Sequence, residues 1–515
     1  MKAWPRSLQP LLAAALGALQ TLACVYTAWW PLTLVAVALL VALLDAAPPR
    51  RAAVLAWCFG VGWLCAAVWW LFISMHRYGG LPAPLAVAAV LALAAALSLY
   101  LAAAGWGYAR WRRGMAWDGL LFAALWLLAE WARGVLFTGF PWAATGYALV
   151  DSPFAALAPW VGVYGMGAVL ALAAAGLTQV VRSRGHSWGA LAAAVGLVLG
   201  LQAVPADFTR PTGELSVALL QTNVKQDEKF AAQHMPETLA WVAQQLLAQN
   251  ADLVVAPETA VPLLPFQLKD YAPGYWETLV EHFKAPGRAA LVGVPLGDFD
   301  TGYTNSVAGL SGDRNGGATY RYDKFHLVPF GEFIPPLFRW FTDLMNIPLG
   351  DFSRGVLNPP SFPVGTQRVG PNICYEDLFG EELARRFVDP AKAPTLLANI
   401  SNIGWFGESI AVDQHLHISR VRSLELQRPM VRATNTGATA VIDHRGAVTA
   451  LQPPHTRGVL LARVQGREGN TPFASWASRG GLWPLALVAT LAVAVLAWKG
   501  RFSARTAPAA PAVLP

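Results

Sequence analysis

The chain reads as a membrane α-helical bundle joined to an α/β layered domain, and three observations predict it. Its 515 residues are 55% hydrophobic and 13% charged, where an ordinary soluble domain carries about 25% charged residues. Apolar runs that approach the roughly 20 residues needed to cross a hydrocarbon core crowd positions 8–204 and recur once near the end. Between them lies a polar insert in which short β-rich runs alternate with stretches of helical spacing, the pattern of strands layered against helices.

Eight segments are long enough, or nearly so, to be transmembrane helices: 8–26, 29–44, 54–73, 85–107, 119–137, 154–181, 188–204 and 481–498. The second and seventh are short. The first resembles a signal peptide, but no convincing cleavage site precedes the next apolar run, so it reads as an anchor. Lys and Arg set the orientation, because cytoplasmic loops hold them in excess. Lys2, Arg6, Arg50, Arg51, Arg110, Arg112, Arg113, Arg182, Arg184, Lys499, Arg501 and Arg505 all fall on one side, and the opposite loops carry little beyond Arg77 and Arg133. Both termini are therefore expected in the cytoplasm and the insert outside it. The expected organisation is a seven-helix bundle over 1–210, an extracytoplasmic α/β domain over 213–468, an eighth helix over 480–499 and a disordered Ala/Pro-rich tail over 504–515. The net charge of +7 follows from this loop pattern. With no nucleic-acid-binding signature in the sequence, nucleic acid is excluded as a partner.

Within the insert, 215–221, 252–257, 289–294, 304–310, 371–373, 395–399, 439–443 and 458–464 read as strands, and 237–249 has the apolar spacing of a helix. Reactive groups in such sheets sit at strand ends. Glu258 and Cys374 fall there.

Cys374 is the only cysteine of the insert; Cys24, Cys58 and Cys65 lie in apolar runs, so no disulfide framework is expected. Alone, a strand-end cysteine reads as a small hydrophobe. Its polar flank Tyr375-Glu376-Asp377 and the following Gly380-Glu381 suggest a turn opening a helix, whose N-terminus would lower the thiol pKa. Glu258 closes an apolar run and would be a partly desolvated base with a raised pKa. Lys324, packed among aromatic, proline and acidic residues, would stabilise a thiolate and an oxyanion. A carboxylate, a lysine and a thiol in this order suggest a nucleophile attacking a carbonyl.

Taken together, Pro257-Glu258, Asp323-Lys324-Phe325-His326-Leu327-Val328-Pro329-Phe330-Gly331-Glu332 and Cys374-Tyr375-Glu376 resemble the nitrilase superfamily of carbon–nitrogen hydrolases. That resemblance implies a Glu-Lys-Cys triad on a nitrilase-like αββα sandwich. Spans before and after the domain, and Glu130-Trp131-Ala132-Arg133 followed by Phe137-Thr138-Gly139-Phe140-Pro141-Trp142, are similar to the apolipoprotein N-acyltransferase family. The similarity covers all but about the last dozen residues. It implies acyl transfer in a bacterial cytoplasmic (inner) membrane, with a periplasmic catalytic domain. A phospholipid donates an acyl chain to Cys374 as a thioester, and the α-amine of a diacylated apolipoprotein accepts it. By the same resemblance Glu258 is the base and Lys324 the oxyanion partner, helped by the Tyr375 N–H, with Glu332 and Glu376 as supporting carboxylates. Glu332 equally fits a plain salt-bridge role. Phe230 stands where the family commonly has Trp, which keeps an aromatic platform but removes an indole N–H.

The 331–351 segment, with Phe338, Trp340 and Phe341, fits either an apolar lid over a lipid entrance or an ordinary core helix. No cofactor or metal is expected, since no phosphate-cradling loop or metal-ligand spacing is found. Two rivals stand beside the acyltransferase: a membrane-tethered amidase using the same triad, and a transporter with an external binding domain. Transporters place ionisable groups at mid-bilayer, and here Glu130, with Arg133 one turn away, is the clearest internal charge. That pair reads as a helix-to-helix tie or a headgroup contact.

Overall fold

A computed structural model of the chain describes residues 5–204, 207–312, 319–335 and 351–503. The expectations for Phe338, Trp340 and Phe341, for most of the 331–351 lid and for the 504–515 tail lie outside the described residues.

All eight expected apolar segments are helical. Thr27–Asp45, Ala83–Trp111, Asp118–Thr138 and Pro153–Arg182 are long and apolar enough to cross a membrane. Two more qualify as bent pairs: Pro49–Ala67 with Leu71–Tyr78, turned by 61°, and Pro472–Gly480 with Trp483–Trp498, turned by 90°. Gln9–Val25 and Gly189–Ala203 are shorter apolar helices. By length and composition the described helices thus give four spans, or six with the bent pairs, where the sequence reading has eight.

Among the described residues the insert folds as two six-stranded sheets. The first uses β1 (Arg210–Gln221), β2 (Leu253–Val255), β3 (Ala289–Asp298), β4 (Gly302–Ser311), β5 (Tyr320–Asp323) and, from the chain's far end, β12 (Gly458–Glu468), in the order β12-β1-β2-β3-β4-β5. The second uses β6 (Phe362–Val364), β7 (Gln367–Ile373), β8 (Leu396–Ser401), β9 (Met430–Thr434), β10 (Ala440–Ile442) and β11 (Val448–Leu451), in the order β11-β10-β9-β8-β7-β6. Each sheet has a parallel centre, β1-β2-β3 or β7-β8-β9, flanked by antiparallel neighbours. The expected strands are all present, and the 237–249 helix spans Met235–Ala248.

Side-chain alternation explains the layering. Leu215, Val217 and Leu219 of β1 join Leu253, Leu291, Val369, Ile373, Leu396, Ile400 and Val431 in the core between the sheets. Their neighbours Ala218 and Leu220 face outward, onto Leu239, Val242 and Leu246 of the Met235–Ala248 helix. A period of two sends successive residues to opposite faces, so both faces of β1 are apolar and both are covered. Helices Ala411–Leu426 and Pro472–Gly480 cover the second sheet. The result is an αββα sandwich.

Candidate active site

Four strand exits meet at one end of the sandwich. After β2, Pro257 has no N–H to continue the ladder; the chain turns with Thr259 at φ 51° and leaves Glu258 buried. After β7, Cys374 itself adopts φ 50°, a left-handed conformation uncommon for a residue with a Cβ and frequent at functional turns. After β5, Lys324 donates its backbone N–H to the Asn305 carbonyl of β4, 2.9 Å away. β8 delivers Ser401 and Asn402.

Glu258, Lys324 and Glu332 form one buried network. The Lys324 Nζ donates to Glu332 Oε1 at 2.9 Å and lies 3.5 Å from Glu258 Oε1. Asn305 Nδ2 bridges the two carboxylates, at 2.7 Å from Glu258 Oε1 and 2.6 Å from Glu332 Oε1. The Asn402 N–H donates to Glu258 Oε2 at 2.7 Å, and the Val328 N–H to Glu332 Oε2 at 2.8 Å.

Electrostatics couples Cys374 to this network. Burial pushes its thiol up to about 12, and the Glu258 charge adds to the rise. Lys324, the Ser401 hydroxyl and the Asn402 N–H pull the other way without winning. The thiol-lowering helix expected from the sequence is a short 3-10 turn, Cys374–Leu378, followed by the five-residue helix Gly380–Ala384. So little aligned backbone offsets little desolvation, and the thiol stays protonated near neutral pH. For Lys324, burial opposes the ammonium, but Glu332, then Glu258, outweigh it and hold its pKa above the usual lysine range.

Glu376 clamps the lysine loop to the cysteine turn. Its Oε1 accepts from the backbone N–H of Phe325 at 2.8 Å and of His326 at 3.2 Å; its Oε2 accepts from the Tyr322 hydroxyl at 2.5 Å and the Ile373 N–H at 2.7 Å. Burial raises its pKa. Tyr375 is buried, and its hydroxyl donates to the Gly139 carbonyl at 3.3 Å. Phe230 is half-buried, next to Lys229, whose Nζ donates to the Glu258 carbonyl at 2.8 Å.

Several residues of this end are absent from the sequence reading. Asn305, Asn402 and Lys229 lie in stretches that read as ordinary polar loop or strand. His415 lies in Ala411–Leu426, a helix whose buried face carries His415, Ser419, Arg422 and Glu425. Burial lowers the His415 pKa well below the usual range. Its Nδ1 accepts from Arg432 Nη2 at 3.1 Å, and its Nε2–H donates to the Cys374 carbonyl at 3.2 Å. Behind it, Arg432 pairs with Asp377 at 3.1 Å, both fully buried, and both bond Ser419.

The membrane-helix half touches the cysteine turn directly. The Trp142 ring stacks on His415, with centroids 5.7 Å apart, and its Nε1 donates to Gln414 Oε1 at 2.8 Å. The Tyr147 hydroxyl donates to the Leu378 carbonyl at 3.3 Å. Glu130 and Arg133, 3.6 Å apart, hold this segment in place. Arg133 Nη1 donates to the carbonyls of Phe140 and Trp142, and the Thr145 N–H donates to Glu130 Oε1. In the Ala158–Arg182 helix, Gly162 breaks the regular backbone (φ 66°, ψ −174°), and the freed Val163 N–H donates to Glu425 Oε1 at 2.7 Å.

Comparison with known proteins divides the chain at the same place. The family profile "Apolipoprotein N-acyltransferase N-terminal domain" matches residues 16–176, and "Carbon-nitrogen hydrolase" matches 216–472. The chain is 53% identical over 483 residues to an apolipoprotein N-acyltransferase of Verminephrobacter eiseniae, covering 88% of this chain and 89% of that one. It is 46% identical over 489 residues to one of Ralstonia nicotianae, covering 94% and 92%. Among solved structures, a carbon–nitrogen hydrolase from Helicobacter pylori G27 is 16% identical with a TM-score of 0.36, covering 53% of this chain and 94% of that one. The C. elegans NitFhit protein is 18% identical with a TM-score of 0.37, covering 53% and 65%.

Proposed function

The chain belongs to the apolipoprotein N-acyltransferase family, and from that premise we propose that it moves an acyl chain from a phospholipid to the N-terminal amine of a diacylated apolipoprotein. The observation that carries this reading is the buried Glu258–Asn305–Glu332–Lys324 network beside Cys374, on a turn against which a membrane-helix segment packs.

In the first half-reaction, Glu258 takes the thiol proton as the Cys374 sulfur bonds to the ester carbonyl carbon. A thiol held near 12 demands that proton removal accompany attack. Negative charge on the carbonyl oxygen is met by Lys324 and the Tyr375 N–H. The intermediate collapses by breaking the ester C–O bond, and Glu258 returns the proton to the departing lysophospholipid oxygen. In the second, the α-amine of the diacylglyceryl-cysteine attacks the thioester carbonyl. Glu258 accepts the amine proton and hands it to the leaving sulfur, and an amide remains. The thioester keeps the acyl group activated between the two steps, so the sequence is ping-pong. Glu332 orients Lys324, Glu376 ties the Lys324 and Cys374 loops together, and Phe230 offers an aromatic surface at the rim. Phe338, Trp340 and Phe341 are proposed lipid contacts.

The reading extends to placement. Eight spans, with both termini cytoplasmic, would anchor the 213–468 domain on the periplasmic side of the bacterial cytoplasmic membrane. Lifting acyl chains into water costs about 0.8 kcal/mol per CH₂, which a site held at the bilayer avoids. The test is incubation with labelled phospholipid and a diacylated lipopeptide. Wild type is expected to show an acyl-thioester on Cys374 by intact mass and then triacylated peptide; Cys374→Ser and Glu258→Gln are expected to lose transfer. Transfer at the wild-type rate in either variant, or free fatty acid as the sole product, refutes the proposal.

A further inference from the structure

Lys229 has no part in the reaction as drawn above, yet it is 5% exposed and aimed into the same end of the sandwich. Its Nζ makes one hydrogen bond among the described residues, to the Glu258 carbonyl at 2.8 Å, although an ammonium has three donors. Burying a lysine is expensive unless its charge is paired. The carboxylates beside it in sequence are engaged elsewhere: Asp227 with Arg77 and Glu228 with Lys225. The titratable groups that face Lys229 are the Glu258 carboxylate and the Cys374 thiol.

The local charge count explains why an ammonium is kept there. Glu258 and Glu332 bring two negative charges, and Lys324 brings one positive. When the thiol proton passes to Glu258, the negative charge reappears on the carbonyl oxygen, so the buried site stays one cation short throughout the step. We propose that Lys229 is a positioning residue for acyl transfer, fixing the Glu258 peptide and supplying the second positive charge against which the transition state's negative charge forms. This rests on the reading of Glu258 as the base. Burial brings the Lys229 pKa down to about 8, with Glu258 and Cys374 holding it up, so the charge is present at neutral pH and is lost just above it.

That makes the alkaline side of the rate profile the readout. Single-turnover acylation of Cys374 by labelled phospholipid would be followed in the full-length protein in detergent, from about pH 6 to 10, for wild type, Lys229→Arg, Lys229→Met and Glu258→Gln. Wild type is expected to slow above pH about 8. Lys229→Arg, whose guanidinium stays charged, should lose that fall. Lys229→Met should acylate about tenfold more slowly at neutral pH, the scale of one charge-assisted contact, with a flat alkaline side and an unchanged KM for phospholipid. A folded Lys229→Met within threefold of wild type, or a folded Lys229→Arg that keeps the wild-type fall, overturns the inference. A wild-type rate flat to pH 9.5 overturns it without any variant. Glu258→Gln separates the failures: an active Glu258→Gln removes the base itself, whereas an inactive one beside an unaffected Lys229→Met removes only the role of Lys229.

Discussion

Asn305 is the point at which the network can be cut with the least change in shape. Its Nδ2 is the shared donor to Glu258 and Glu332, at 2.7 and 2.6 Å, and its carbonyl receives the Lys324 N–H. The neighbours fix the amide's orientation, because only the NH₂ end can serve two carboxylate oxygens. Asn305→Leu removes both donors at similar volume. Hydrogen bonds to charged groups contribute about 1.5–3 kcal/mol each, so about 3–6 kcal/mol of contacts disappears. The Glu258 half bears on proton removal and should slow acylation about tenfold to roughly 150-fold, at 1.36 kcal/mol per factor of ten. Asn305→Asp should be slower still at pH 8, since it places a third carboxylate against two. The assay is single-turnover acylation of Cys374 by a labelled phospholipid, read by intact mass, on variants whose unfolding temperature in detergent stays near wild type. Asn305→Leu within threefold of wild type, or Asn305→Asp equal to Asn305→Leu, would refute the reasoning.

Three further outcomes concern stability, read by thermal or denaturant unfolding in detergent. Asp377→Leu leaves Arg432 buried and unpaired and should cost about 3–5 kcal/mol, whereas Asp377→Leu with Arg432→Met should recover most of it; equal losses would contradict this. Gly162→Ala should destabilise, because its backbone conformation costs about 1–3 kcal/mol with a side chain and the new Cβ would lie 2.5 Å from Phe473 Cε2; an unchanged unfolding temperature would contradict it. Burial raises the carboxyls of Asp377, to about 6, and Glu425, to about 7. A carboxyl raised above its unfolded value near 4 stabilises fully below that value and loses the contribution as pH rises through the folded one. Stability should therefore fall between about pH 4 and 7 on this account, with Glu425→Gln removing the upper part; an identical fall in that variant contradicts the assignment.

What the sequence made legible follows the physics of each element. Apolar runs announce helices directly, so all eight segments were found; the 61° and 90° bends were not, because hydropathy carries no direction. Strands that form short, almost wholly buried apolar runs, such as Leu215 to Gln221, stood out. Short edge strands did not: β6 reads Phe-Pro-Val and β11 is half exposed. The Ala411–Leu426 helix was invisible because it buries His415, Ser419, Arg422 and Glu425, and satisfying such groups depends on residues far away in sequence. For the same reason Glu258, Lys324 and Cys374 could be picked out as charged or reactive islands, whereas Asn305 and Lys229 could not: their meaning lies wholly in what they touch. The thiol pKa was misjudged in sign, since a motif indicates a turn but not how deeply it is desolvated.

The contacts of Trp142, Tyr147 and Glu425 bear on inheritance and engineering. A carbon–nitrogen hydrolase sandwich looks like a transferable cassette, ready to be cut out at residues 213 and 468. Here that cut would strip the Trp142 ring from His415 and the Tyr147 hydroxyl from Leu378, and leave the Glu425 carboxylate facing the vacated Val163 position. The natural seam for recombination thus lies away from the linker. Chimeras between relatives should keep residues 139–163 with the sandwich of their own parent, and those that split them should lose acyl transfer even with every triad residue in place.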